Sequence, residues 1–177
     1  MPSSRQQATT YFRLFQTKLK TLLSQKSILD QPDKPTTNHH NKGMTNVAIM
    51  QRLQELTHGL FFMSESDYPL EVVEFDKVEA AELSDAEVKQ MAGQPSDAKV
   101  EAVDLAYFLR NMTKAAPEAD DAAKQIAERY QVLQAYMEQH LRDVKVFRVG
   151  RREVVALAIG ILPEGGYGGF KTIVIET

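Results

Sequence analysis

Apolar positions along this chain recur with a spacing that alternates between helical and extended periods. Ile49, Leu53, Leu56 and Leu60 step by four, three and four, which predicts a helix over 45–58 that Gly59 ends. The apolar burst Leu60-Phe61-Phe62-Met63 then runs into a polar loop, Ser64-Glu65-Ser66-Asp67, and LEVVEF at 70–75 reads as a short strand. Ser84-Asp85-Ala86-Glu87 has the spacing of a capping box, so a helix is predicted to Ala92 with Gly93 at its end. Val100 to Val103 reads as a brief strand. Leu105, Phe108, Leu109 and Met112 fit a short helix capped by Asp104. The longest periodic stretch, 118–142, puts Ala122, Ile126, Tyr130, Leu133, Met137 and Leu141 on one stripe. Glu118, Asp120 and Asp121 complement the dipole at its start.

The end of the chain is β in character. Val144, Val146 and Val149 share one strand. Val154–Leu162 is a nearly continuous apolar run, as expected of a central strand covered on both faces. PEGGYGG at 163–169 reads as a flexible turn, and Phe170–Ile175 as the last strand. Hairpin-linked strands with helices elsewhere predict an α+β fold, with a mainly antiparallel sheet packed by helices.

The first 43 residues differ in kind. From Met1 to Leu29 there is no acid, and Tyr11, Phe12, Phe15, Leu19, Leu22 and Leu23 recur near a helical period among Arg13, Lys18 and Lys20. Residues 8–26 therefore read as a basic amphipathic helix. Three roles stay open for it: a membrane-surface or transit-type segment, an extra helix on the domain, or an upstream translation extension. Residues 30–43, DQPDKPTTNHHNKG, read as a linker, and the neighbouring His39 and His40 as solvated. The chain thus divides into a basic extension with linker, 1–43, and a domain, 44–177.

Composition narrows the function. The 177 residues suit one domain with a tail, and 43% apolar with 25% charged residues is ordinary for a globular protein. No window has 18 consecutive apolar residues, so no membrane span is expected. The chain has no cysteine, which excludes disulfides, a thiol nucleophile and Cys-ligated metal centres, and fits a reducing compartment. Residues 1–43 hold seven Lys/Arg against two acids. The remaining 14 basic and 22 acidic residues leave the domain at −8. Such a body repels a phosphate backbone, so direct nucleic-acid binding is not expected, and it attracts a protein with a basic cleft.

Candidate chemistry is sparse. The glycine-rich Glu164–Gly169 leads into a strand, without the following helix or the Gly-Lys-Ser/Thr that a phosphate cradle needs. His58 and His140 have no metal-ligand partner at i+4. No carboxylate pair is singled out by spacing, and no serine has a G-x-S-x-G context. Two places stand out instead: the Ser64-Glu65-Ser66-Asp67 loop, held between Phe61–Met63 and Pro69, and the end at Glu176-Thr177 directly after a strand. An ordinary solvated turn and an ordinary chain end are the competing readings of these two.

Both places carry a resemblance. GLFFMSESDYPLEVVEF (59–75) and VFRVGRREVVALAIGILPEGGYGGFKTIVIET (146–177) closely resemble the nuclease A inhibitor family, and the resemblance covers essentially all of 44–177. It implies a helix–sheet–helix (αβα) sandwich. It also implies a cytoplasmic, non-enzymatic inhibitor of a sugar-non-specific, magnesium-dependent ββα-metal endonuclease that cuts DNA and RNA. In that family the glutamate of the M-S-E-S loop and the C-terminal threonine enter the nuclease active site near its metal. Those positions are Glu65 and Thr177, so the chain needs no cofactor or metal of its own. Ser64, Ser66, Asp67, Glu176, Asp120 and Asp121 are the expected flanking contacts. One departure is that the family's acidic-aromatic contact before the long helix falls on Lys114–Asp121, which has no aromatic residue. Two rivals remain: an interaction or stress-associated module of the same fold without a nuclease target, and a small metal-dependent hydrolase using scattered carboxylates.

Overall fold

A computed structural model describes residues 44–78 and 82–176. The expectations for residues 1–43, including the amphipathic stretch 8–26 and His39-His40, lie outside the described residues, as does Thr177. The elements follow in the order α1 (Asn46–Thr57), β1 (Phe61–Phe62), β2 (Tyr68–Pro69), β3 (Glu71–Phe75), α2 (Asp85–Ala92), β4 (Val100–Asp104), α3 (Leu105–Leu109), α4 (Asp121–His140), β5 (Arg142–Val149), β6 (Glu153–Ile161) and β7 (Tyr167–Ile175).

β3-β7-β6-β5-β4 form one five-stranded sheet in which every pairing is antiparallel. β6 lies at its centre and is buried from Val154 to Gly160, as its unbroken apolar run requires. Alternate residues of β6 serve the two faces. Val154, Ala156 and Ala158, with Val146, Phe170 and Val174, join the core formed with Ile49 and Leu53 of α1, Phe108 and Leu109 of α3, and Tyr130, Leu133 and Met137 of α4. Val155, Leu157 and Ile159 point the other way, where α2 packs on β4, β5 and β6 with Val88 buried. The result is an α+β fold with helices on both sides of an antiparallel sheet. Each fully buried Leu, Ile or Phe contributes about 1.5–3 kcal/mol through removal of apolar surface from water.

Local signals explain most helix ends. Thr45 caps α1 by accepting the Ala48 N–H at 3.3 Å. Ser84 and Glu87 form a full capping box on α2, and Gly93 ends it at φ +65°. The hydrogen bonds from Ser84 hold the Glu87 carboxyl below its ordinary pKa. Asp104, by contrast, precedes α3 without a side-chain cap bond. As the last residue of β4, its backbone is already held by pairing with Lys145.

The long helix starts later than its periodicity suggests. A turn closes between Ala116 and Ala119, and Asp120 then accepts the Ala123 N–H at 2.8 Å, so α4 begins at Asp121. Its buried stripe is also shifted. Ala122 is exposed, Ile126 is 44% exposed, and Ala127 is buried instead. Both 126 and 127 lie one turn before Tyr130, and the side without bulk is the one turned inward.

The glycine-rich turn is shorter and firmer than its composition suggests. β7 already includes Tyr167, Gly168 and Gly169, so the turn proper is 162–166. Asn46 at the start of α1 donates its backbone N–H to Glu164 Oε2 and its Nδ2 to the Gly165 carbonyl, both at 3.0 Å, and its Oδ1 accepts the Glu164 N–H. Gly166 sits at φ +81°, where a Cβ would stand 2.6 Å from the Phe75 carbonyl oxygen. The turn is thus pinned between α1 and β3.

Candidate functional site

The polar loop is built as a small hairpin. β1 and β2 pair antiparallel, Phe61 with Pro69 and Phe62 with Tyr68, and Ser64–Asp67 lie between them. Its footing is not the Phe61–Met63 anchor expected from sequence. Leu60, Phe62 and Leu70 are buried, whereas Phe61 is 49% and Met63 is 56% exposed. Strand alternation accounts for this, because Phe62 turns inward and its two neighbours turn out. The Phe62 ring stacks on Phe108 with centroids 4.6 Å apart.

Three bonds tie the hairpin to the body. The Tyr130 hydroxyl donates to the Phe61 carbonyl at 2.9 Å. Thr172, buried in β7, donates to the Tyr68 carbonyl at 3.3 Å. Ser64 Oγ donates to the Ser66 carbonyl at 2.8 Å and accepts the Ile175 N–H at 3.3 Å. Burial pushes the Tyr130 phenol well above its ordinary pKa, with Arg129 opposing the shift and Asp67 adding to it.

The Ser64–Ile175 bond joins the loop to the end of β7. Beyond Ile175, the Glu176 N–H donates to the Arg152 carbonyl at 2.8 Å. The Glu176 carboxylate pairs with Arg148 Nη2, and Arg148 Nη1 pairs with Glu101 at 2.7 Å. Glu65, Ser66 and Asp67 are exposed at the loop, with Ser64 half-buried beneath them. A groove of about 290 Å³ adjoins this corner, with Met63, Ser64, Tyr107, Arg110, Arg148 and Glu176 among its lining residues. Tyr107 is 57% exposed, and the Arg110 guanidinium lies 4.0 Å from its ring centroid.

A family model described as nuclease A inhibitor-like protein matches residues 47–177. The chain belongs to this family. No curated protein matches it. The family match spans both the loop and the strand end that the structure brings together.

The expected site residues separate into two groups. Ser64, Glu65, Ser66 and Asp67 share one loop, and Ser64 connects it to the β7 end that leads to Glu176. Asp120 and Asp121 stand at the start of α4, about 15 Å along the axis before Tyr130, and Asp120 is engaged as the helix cap. Sequence reasoning missed Arg148, Tyr107 and Arg110. Nothing in local spacing singles out Arg148, whose partners come from β4 and from beyond β7. An aromatic followed three positions on by an arginine was a usable signal for Tyr107 and Arg110.

His58 is exposed at the end of α1, and His140 packs against Tyr136 with ring centroids 4.3 Å apart. Among the described residues, no group of three or more His, Asp or Glu could hold a metal ion. No helix among them is long and apolar enough to cross a membrane.

Proposed function

We propose that this protein inhibits a non-specific, magnesium-dependent endonuclease of the ββα-metal type by occupying its active site. The observation that carries the reading is the bond from Ile175 to Ser64. It sets an exposed acidic loop beside the strand end that leads to Glu176 and Thr177. Glu65 and Thr177 are the blocking residues in this reading, with Ser64, Ser66, Asp67 and Glu176 around them.

Elementary chemistry supports it. A nuclease cleft is basic and holds a hard cation that prefers oxygen ligands. Glu65 offers carboxylate oxygens with no phosphodiester to cut. The domain's charge of −8 favours encounter with such a cleft. The loop is hydrogen-bonded in place, so little ordering entropy is lost on binding. Met63, Tyr107 and Arg110 extend the contact surface, and Tyr107 supplies the aromatic that 114–121 lacks. Aromatic and arginine side chains are the commonest interface hot spots. Asp120 and Asp121 stay peripheral, and the protein acts without catalysis of its own in the cytoplasm.

The test titrates a ββα-metal endonuclease with the full-length chain, magnesium in excess. Stoichiometric loss of DNA cleavage is expected. No loss at micromolar inhibitor, with the host's own nucleases included, replaces this reading with the interaction module.

A further inference from the structure

Arg148 occupies a position that the inhibitory reading does not use. It lies on β5, opposite Glu101 of β4 and Ala156 of β6. Glu176 follows β7, which lies on the far side of β6. The ion pair between Arg148 and Glu176 therefore crosses the central strand. Arg148, Gly150, Val154 and Glu176 line one recess at the start of β6. The arginine is less exposed than either carboxylate, with its side chain at 22% against 46% for Glu101 and 42% for Glu176. One prong of the guanidinium is held by Glu101 and the other by Glu176. A planar fork serves two carboxylates at once, which the point charge of a lysine does not.

Glu176 is also fixed by its backbone. Its N–H donates to the Arg152 carbonyl, and the preceding N–H, that of Ile175, donates to Ser64. Arg148 thus completes a closed set of links: β4 to β5 to the chain beyond β7, and from there to the loop that carries Glu65.

We propose that Arg148 is the positioning residue of this corner. Its fork clasps Glu176, so that the end of β7 and the Ser64–Asp67 loop are held in one preformed arrangement before the partner arrives. The proposal rests on the inhibitory reading for its purpose, but not for its geometry. Its effect on binding is indirect. The clasp lowers the ordering cost of association and leaves the contact with the partner to the loop and the chain end that it positions.

The test uses the full-length chain with Arg148→Gln, Arg148→Lys, Glu176→Gln and the double variant Arg148→Gln/Glu176→Gln. The first readout needs no nuclease: hydrogen exchange of the Ile175 and Glu176 amides. Arg148→Gln and Glu176→Gln are expected to speed both, while amides of β6 keep their protection. Glu176→Gln alters a partly exposed side chain with little change of shape and so guards against a general loss of folding. The second readout is inhibition. Arg148→Gln weakens it roughly two- to fivefold, as suits a partly exposed ion pair. The double variant is no worse than the worse single one, and Arg148→Lys recovers part of the loss. Unchanged exchange at both amides overturns the proposal, as does an additive double variant. A wild-type chain that inhibits no such enzyme, but loses amide protection in Arg148→Gln, overturns the inhibitory reading and upholds the clasp.

Discussion

Two turns of this domain have opposite designs. The loop at Ser64–Asp67 is polar and contains no glycine, yet it projects outward from a buried footing of Leu60, Phe62 and Leu70. The turn at 162–166 is rich in glycine, yet it is closed against its neighbours by Asn46 and by the Phe75 carbonyl. Glycine there serves close approach of backbones rather than freedom of movement. Serine in the other loop serves as a link, since one hydroxyl bonds both its own loop and the end of β7. Composition alone would leave the glycine-rich turn free to move, whereas Asn46 and the Phe75 carbonyl close it.

The largest effect that would sharpen this contrast is on binding. Glu65→Ala is expected to weaken nuclease inhibition about a hundredfold, the cost of a central hot spot. A circular-dichroism spectrum matching wild type should accompany that loss, because Glu65 is exposed. Equal inhibition by variant and wild type would break the assignment of the loop.

The glycine turn should answer in stability. Gly166→Ala places a Cβ against the Phe75 carbonyl at a positive φ, and is expected to cost about 2 kcal/mol in denaturant unfolding. A neutral result would mean that the turn relaxes freely and the contrast is false.

Tyr130→Phe should cost about 1 kcal/mol by removing the bond to the Phe61 carbonyl. It should also change the alkaline limb of stability. The folded phenol holds its proton to a higher pH than the unfolded one, so its contribution is complete below about pH 10. That contribution falls as pH rises from there through the folded pKa. Urea titrations at stepwise pH above 9 should show wild type losing more stability than the variant. Parallel curves would remove Tyr130 from the loop's support.

The smallest effect is expected at Asn46. Asn46→Ala removes side-chain bonds at the edge of the turn, and about 0.5–1 kcal/mol should appear in the same unfolding measurement. A loss as large as that of Gly166→Ala would show that side-chain tethering, rather than backbone approach, closes the turn.

Much of this molecule is legible one segment at a time. The spacing of Ile49 and Leu53, the Ser84–Glu87 box with Gly93, and the apolar run of β6 each name an element through interactions within about one turn or across a single pleat. Where such reasoning fails, a distant partner decides. Asp104 needs no cap bond because β5 holds its backbone. Ile126 gives way to Ala127 because the face of α4 is chosen by what it packs against. Met63 is exposed because pairing with β2 sets the parity of β1.

The candidate site divides along the same line. Amino-acid order alone determined the acidic Ser64–Asp67 loop, the family to which the chain belongs, and the presence of an apolar central strand. It also placed Asp120 and Asp121 at a helix start, where short-range dipole and capping forces act. Only the tertiary structure decided that Ser64 meets Ile175, that Arg148 crosses β6 to Glu176, and that Tyr107 and Arg110 flank the same groove. These residues are brought together by an antiparallel sheet whose strand order, β3-β7-β6-β5-β4, departs from chain order. Contacts of that kind depend on closing long loops and on register between strands, and neither leaves a mark in the local spacing of residues.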